Sequence, residues 1–141
     1  MQMQDMPGHL IRRLHQHSMQ CFAKAMQGAG IDLTSVQFAA LDAISGHPGI
    51  DQAGVAAEIA YDRATIGGVI DRLEGKGLVR RQVSPRDRRA REVFATEAGL
   101  ELLARMRPLV AGVQDDILAR LSPEERTQML TLLAKSIGRT G

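Results

Sequence analysis

Apolar residues recur at helical spacing along most of this 141-residue chain, and they change to strand spacing at one place only. Two short strand patterns, 78–83 and 91–95, lie there on either side of a polar loop. Four helical patterns precede this hairpin and two follow it. The sequence therefore predicts a mainly α-helical fold with one small β-hairpin, in which Val79 and Phe94 supply the inward-facing side chains.

Capping signals set the expected bounds of the helices. Thr34 and Gln37 have the spacing of a capping box, and Ser122-Pro123-Glu124-Glu125 is a second strong helix start. The fourth helix is expected to begin near Asp62 and to end at Gly75-Lys76-Gly77, where a glycine can adopt the left-handed conformation. The predicted helices cover, in order, residues 8–27, 34–44, 52–59, 62–75, 96–121 and 122 onward.

The hairpin loop carries a local excess of positive charge. Six arginines and one acid, Asp87, occur in RRQVSPRDRRAR, residues 80–91, so this segment has a net charge of +5 in a chain whose total is +2. The rest of the chain therefore sums to −3. Guanidinium groups stay charged and present a rigid fork of donors, which suits phosphate and groove contacts. On composition alone, a solvated arginine-rich loop is an equal alternative.

Composition narrows the class of partner and the compartment. Aromatic residues make up 3% of the chain, so the stacking platforms that single-stranded nucleic acid requires are nearly missing, and any nucleic acid is expected to be double-stranded. The single cysteine, Cys21, excludes an intrachain disulfide and favours a reducing, intracellular setting. Neither a signal peptide nor a bilayer-length apolar run is present. We expect a cytoplasmic protein without membrane contact.

The middle of the chain has the order of a winged helix-turn-helix. In that arrangement three short helices precede a hairpin, one helix enters the major groove of DNA, and the hairpin reaches the backbone or minor groove. The fourth helix is the predicted recognition helix, called the reading helix below. Its exposed side carries these residues: Arg63, Ala64, Thr65, Gly67, Gly68 and Arg72. Arg63 is a donor for guanine, and Thr65 for a base edge or a phosphate. The hairpin tip adds Arg86, Asp87, Arg88 and Arg89.

The first, fifth and sixth helices are amphipathic and lie far in sequence from the three short ones. Their apolar faces exceed what the middle of the chain can cover, which favours pairing of two subunits. We therefore expect a winged helix-turn-helix DNA-binding region at 31–96. A helical dimerisation region is expected at 1–30 and 97–141, built from the N- and C-terminal helices.

Three stretches carry a resemblance to a known family over nearly the whole chain: LTSVQFAALDAI, AAEIAYDRATIGGVIDRLEGKGLVRRQVSPRDRRAREVFAT and LSPEER. They resemble the multiple antibiotic resistance regulator (MarR) family, and DRLEGKGLV…RDRRAR…T is the most specific part. The resemblance implies an obligate homodimer that binds a pseudo-palindromic operator, usually as a repressor. It also implies that Asp87 orients Arg89 for the minor groove. Family members often carry a bulkier polar residue or an arginine where this chain has Gly67-Gly68, which leaves base readout thinner here.

The first helix carries a second, weaker likeness. Residues 8–16, GHLIRRLHQ, are similar to family members that sense aromatic acids, including regulators of nicotinate and hydroxycinnamate breakdown. This implies a small aromatic carboxylate as effector, bound between the first helix, the fifth helix and the DNA-binding lobe. Arg13, His15, His17 and Ser18 have the helical phase for such a pocket. An equal alternative is that His17 and Ser18 are core polar groups with hydrogen-bond partners and that Arg13 is a surface salt-bridge partner.

Two alternative functions are a redox-sensing regulator of the same family that acts through Cys21 and an enzyme. Some family members place a redox-active cysteine on the first helix, but Cys21 lies on the apolar face with only Lys24 as a nearby cation, and a buried thiol forms little thiolate. An enzyme is not expected, because the four histidines form no recognised ligand spacing and no nucleophile elbow, phosphate loop or dinucleotide fingerprint occurs. We therefore predict no catalytic residues, no metal site and no cofactor.

Overall fold

Six helices and one antiparallel hairpin make up residues 1–139, the part of the chain that the structure, a computed structural model, describes. A short 3-10 turn at Met3–Asp5 comes first. The elements then follow in the order α1 (Pro7–Ala29), α2 (Ser35–Gly46), α3 (Gln52–Glu58), α4 (Ile66–Gly75), β1 (Val79–Val83), β2 (Arg91–Ala95), α5 (Glu97–Ile117) and α6 (Pro123–Ser136). The predicted mainly α-helical fold with one hairpin is confirmed.

Local capping fixes the starts of α2 and α6 as the sequence predicted. The Thr34 hydroxyl accepts from the Gln37 backbone N–H at 3.1 Å, and the Gln37 side chain accepts from the Thr34 N–H at 3.1 Å. Ser122 and Glu125 repeat this capping box before α6, at 3.2 and 2.9 Å. Each box satisfies two backbone donors that a helix start leaves without intrahelical partners.

The start of α4 differs from the prediction. The helix begins at Ile66, and residues 62–65 form a turn before it. The Asp62 carboxylate accepts from the Ala64 backbone N–H at 3.2 Å, and the Asp62 carbonyl accepts from the Thr65 N–H at 3.1 Å. Aspartate stabilises such turns because its short carboxylate competes for nearby backbone donors.

The hairpin register corrects one predicted core residue. β1 and β2 pair antiparallel with Arg81 opposite Val93 and Arg80 opposite Phe94. Because side chains alternate between the two faces of a strand, Val79 and Val93 share the inner face, and both are buried. The prediction that Phe94 points inward is therefore wrong. Phe94 lies on the other face, where the Arg80 guanidinium stacks 4.4 Å from its ring centroid.

The segment before α3 ties the hairpin to the rest of the fold. Ile50 pairs with Val93 in an isolated antiparallel bridge, in which the Val93 N–H donates to the Ile50 carbonyl at 2.9 Å. The Gly49 N–H donates to the Val93 carbonyl at 3.0 Å. β2 therefore has hydrogen-bonded neighbours on both sides, which anchors the base of the hairpin beside α3.

One hydrophobic core extends through the three short helices into α1 and α5. Its members include Phe22 and Met26 of α1, side chains of α2 to α4, and three residues of α5, Leu103, Met106 and Val113. Within residues 1–139, α6 contributes no fully buried side chain. Its large apolar residues Leu130, Leu132, Leu133 and Ile137 are exposed in the single chain. No helix in the described chain has the length and apolar character needed to span a membrane.

We predict that Gly99 is needed for the close packing of α5 against Leu78, the residue before β1. A Cβ at Gly99 would lie 2.2 Å from the Leu78 carbonyl oxygen, so Gly99→Ala is expected to lower the free energy of unfolding by about 1–3 kcal/mol. Gly112 lies on the same helix with no atom within 4 Å of such a Cβ, and Gly112→Ala is expected to raise stability by roughly 0.5–1 kcal/mol. Denaturant titration of both variants at one protein concentration tests this. A Gly99→Ala protein as stable as the wild type would contradict it.

Candidate nucleic-acid interface

The arginine-rich loop between the strands, residues 84–90, is called the wing tip below. The Ser84 N–H donates to the Ala90 carbonyl at 2.9 Å and closes the loop. Inside it, the Ser84 hydroxyl accepts from the Arg86 N–H at 3.2 Å, and the Asp87 carboxylate accepts from the Arg89 N–H at 3.0 Å. These bonds hold the backbone while the side chains of Arg86, Arg88 and Arg89 stay exposed.

Asp87 acts on Arg89 through the backbone. The resemblance implied that Asp87 orients Arg89, and the contact found between them is the hydrogen bond from the Arg89 backbone N–H to the Asp87 carboxylate. This bond restrains the backbone at Arg89, whose side chain is exposed. Asp87 itself remains exposed.

The turn before α4 carries three of the predicted DNA contacts. Arg63, Ala64 and Thr65 are all exposed, but they precede the helix rather than lie on it. The Thr65 hydroxyl donates to the Asp62 carbonyl at 3.1 Å, so its proton is already used within the turn. Thr65 thus presents oxygen lone pairs to an approaching donor, and the predicted donation to a base or phosphate is not available in this conformation.

The two glycines of α4 occupy different environments. Gly68 is exposed, and no atom would lie within 4 Å of a Cβ placed there. Gly67 is half-buried, and a Cβ there would lie 3.4 Å from the side-chain nitrogen of Gln52 in α3. The sequence predicted that the two glycines and Arg72 lie on the exposed side of the helix. Gly68 and Arg72 are exposed, whereas Gly67 faces α3.

A cleft of about 410 Å³ joins the wing tip to the turn before α4. It brings Arg63 next to Asp87, Arg89 and Arg91, beside the start of α3. Because Arg91 lies on a strand below the hairpin loop, the sequence predicts a contact with phosphates or with structural partners, and the structure places it with the others. The signal that could have identified it is its position as the first residue of β2, directly after the loop.

Arg81, in the middle of β1, pairs with acids of the protein, unlike the exposed arginines of the wing tip. Its guanidinium forms ion pairs with Asp71 at 2.5 Å and Glu74 at 3.0 Å, both on α4. The hydrogen bond that Arg81 donates to Glu74 lowers the pKa of the Glu74 carboxyl and raises the pKa of Arg81. The sequence offered a signal, since Asp71 and Glu74 are three residues apart and share one helix face.

The predicted effector residues divide between two neighbouring cavities that share Leu14. His15 and Ser18 line a groove of about 450 Å³ between α1, α5 and α6. Arg13 and His17 line another, of about 560 Å³, together with Arg120. The structure does not bring the four into one cavity, and His17 is exposed rather than a core polar group.

A third cavity lies near the junction that the likeness in α1 implied, but no residue of α5 lines it. It has a volume of about 510 Å³ and lies between α1 and the start of α2, lined by Met19, Phe22, Met26, Asp32 and Leu33 among others. None of the four predicted effector residues lines it.

Cys21 is half-buried rather than fully buried. The His17 ring nitrogen Nε2 lies 3.8 Å from its sulfur, a neighbour that the sequence interpretation missed although it is one helical turn away. In residues 1–139, no group of three or more His, Cys, Asp or Glu side chains is placed to hold a metal ion.

Comparison with known proteins agrees with this geometry. Residues 31–90 match the model of the MarR family. The chain is 36% identical over 130 residues to the HTH-type transcriptional repressor NicR of Pseudomonas putida, which covers 92% of this chain and 81% of NicR. It is similar in structure to BpsR of Bordetella bronchiseptica, whose DNA binding is regulated by 6-hydroxynicotinic acid (TM-score 0.88, 30% identity, 96% of each chain).

A DNA complex is among the similar structures. The transcriptional repressor CouR, bound to a 23-mer DNA duplex, has a TM-score of 0.84 and 30% identity to this chain, over 94% of this chain and 93% of CouR. The helical scaffold, the hairpin and the arginine-rich wing tip correspond to a winged-helix DNA-binding protein. The chain therefore belongs to the MarR family of winged helix-turn-helix transcriptional regulators.

Proposed function

We propose that the protein is a homodimeric repressor that binds a pseudo-palindromic operator in double-stranded DNA and is released by a small aromatic acid. The observation that carries the DNA part is the cleft in which Arg63 meets Arg89 and Arg91. It places cations from the turn before α4 and from the wing on one surface. Such a surface contacts a major groove and the adjacent backbone or minor groove together.

Roles within this surface follow from exposure. Gly68 and Arg72 of α4, with Arg63 and Ala64 before it, form the part that approaches base edges, and Thr65 accepts there. Arg86, Arg88 and Arg89 reach phosphates or the minor groove, and Asp87 holds the wing tip in shape. Gly67 supports the helix from the side of α3.

A second copy of the chain would cover the apolar surface that α6 leaves open. Leu130 and Leu132 are 59% and 61% exposed, and Ile11 of α1 is 61% exposed. Residues 1–30 and 97–141 form this dimerisation region, and residues 31–96 form the DNA-binding region. Two recognition helices in such a dimer must be about 34 Å apart to meet half-sites one helical turn apart.

The effector part rests on the cavities along α1 and on the relatives. NicR is a repressor, and a carboxylic acid regulates the DNA binding of BpsR. Arg13 supplies a cation for a carboxylate, and His15 and Ser18 line the adjacent groove. An effector that binds the non-docking conformer tenfold better supplies about 1.4 kcal/mol, enough for a tenfold relief of repression.

A polar contact connects the α1 region to the reading helix. The Lys76 ammonium, at the end of α4, donates to the Asp32 carbonyl and pairs with its carboxylate at 3.6 Å. Asp32 also lines the cavity between α1 and α2. A displacement near α1 is thus linked to the position of α4.

Replacement of Arg88 or Arg89 by alanine is expected to weaken operator binding and to reduce its salt dependence. Each lost phosphate contact should lower the slope of log affinity against log salt by about 0.9. The measurement is a titration of a duplex selected by the wild-type protein from a random pool, at several salt concentrations. Lys24→Ala removes one exposed charge from α1 and serves as the control. An unchanged slope in both wing variants would remove the wing from the interface.

Gly68→Ala separates protein stability from DNA approach. The fold has room for the methyl group, so thermal stability should rise by roughly 0.5–1 kcal/mol, whereas operator affinity should fall because the methyl group lies on the approaching surface. Gly75→Ala, at the other end of α4 with equal room, is the matched control and should not affect DNA binding. Unchanged operator affinity in Gly68→Ala would show that the backbone does not approach DNA there.

Arg13→Ala is expected to leave operator affinity intact and to raise the acid concentration needed for release on the order of tenfold, since a charge-assisted hydrogen bond is lost. Fluorescence anisotropy of the operator complex, titrated with 6-hydroxynicotinic acid and with 4-hydroxycinnamic acid, measures this. Arg12→Ala is the matched control, because Arg12 is an exposed neighbour that contacts His9 instead. Equal release in wild type and Arg13→Ala would place the carboxylate elsewhere.

A further inference from the structure

Arg81 connects three elements through one guanidinium group. It lies in the middle of β1, and its side chain is only 13% exposed. One terminal nitrogen donates to Asp71 and Glu74 of α4, and the other donates to the Gln52 side-chain oxygen of α3 at 2.9 Å. The wing, the reading helix and the helix before it are therefore bonded to the same side chain.

These contacts hold α4 at two points along its length. Asp71 and Glu74, which Arg81 bonds, lie in its second half, and the side chain of Gln52, which Arg81 also bonds, packs beside Gly67 in its first turn. With a rise of 1.5 Å per residue, the two points are roughly 6–10 Å apart along the helix axis. Two separated points fix the tilt of a helix as well as its position.

The positive charge of Arg81 is paired with carboxylates of the protein itself. Two carboxylates lie beside one guanidinium, and the hydrogen bond from Arg81 lowers the pKa of Glu74. The Arg81 Nε is buried and has no hydrogen-bond partner among the described residues, so the terminal nitrogens make all the hydrogen bonds of this guanidinium. The exposed arginines of the wing tip contrast with this arrangement.

We propose that Arg81 is a positioning residue that sets the geometry between the reading helix and the wing, and so determines operator specificity without contacting DNA. The proposal rests on the DNA-binding surface proposed above. Specific binding requires α4 and the wing tip to meet their grooves simultaneously, whereas non-specific binding needs only phosphates. Loosening the connection should therefore reduce specific affinity more than non-specific affinity.

The test compares Arg81→Met and Arg81→Lys with the wild type on the selected operator and on a random duplex of equal length. Lysine keeps the charge but loses the fork that bonds three partners. Both variants are expected to lower the ratio of operator to random affinity on the order of tenfold, the size of one lost base contact. The salt slope on random DNA should stay that of the wild type, because no phosphate contact is lost.

Arg80→Met is the matched control. Arg80 is the preceding residue on the same strand, and its guanidinium stacks on Phe94 instead of pairing with α4. Its replacement removes the same charge and should leave the affinity ratio unchanged. Glu74→Gln and Asp71→Asn weaken the connection from the side of α4, and they provide the same test if Arg81→Met does not fold. Both should lower the ratio while raising random affinity, since a negative charge is lost.

Three outcomes would overturn the proposal. Equal losses on operator and random DNA with a smaller salt slope would make Arg81 a phosphate contact. A lower melting temperature with an unchanged affinity ratio, measured where all variants are folded, would make its role one of stability alone. Full rescue of the ratio by Arg81→Lys would show that charge suffices without the fork. A failure of the proposed DNA-binding surface itself can be told apart from a failure of this proposal. In that case Arg88→Ala would also show the same salt slope as the wild type.

Discussion

Ile66, Ile70 and Leu73 project from one side of α4 into the core that it shares with α2, α3 and α5, and all three are fully buried. A helix of ten residues is too short to be stable alone in water, so this burial is what keeps α4 helical. It also decides which side remains outside. The exposure of Gly68 and Arg72 is a consequence of the packing on the opposite face.

Arginines that are adjacent in sequence serve different purposes because the strand sends them in different directions. Arg80 stacks on Phe94, whereas Arg81 turns to the other face and pairs with acids of α4. The wing-tip arginines are exposed, and among residues 1–139 their guanidinium groups form no ion pair with an acid. A charge count of the segment treats all of these as equal, but burial and pairing separate structural cations from binding cations.

The two ends of the chain show how an open apolar surface and a closed core coexist. α5 contributes Leu103, Met106 and Val113 to the common core, while α6 buries no side chain completely within the described residues. The DNA-binding half is thus joined rigidly to α5 through packed side chains. A dimer formed through the outer helices would transmit its geometry to α4 along that connection.

Helix starts and the presence of the hairpin followed from the sequence by itself. Capping joins residues three positions apart, as in Thr34 with Gln37, so the physical cause is contained in the local sequence. The winged arrangement followed from the order of elements, and the positive wing tip followed from composition. The start of α4 was predicted too early, because helical periodicity does not reveal that the Asp62 carboxylate bonds a backbone N–H in a turn.

Only the tertiary structure decided which residues face which partner. Val93 rather than Phe94 lies on the inner face of the hairpin. The strand register decides this, and it depends on Ile50 and β1 rather than on β2 alone. Arg81 meets Gln52 across 29 positions of sequence, and the groove that His15 and Ser18 line is completed by residues of α5 and α6. Contacts between distant segments depend on the packing of the whole core, and no local pattern contains that information.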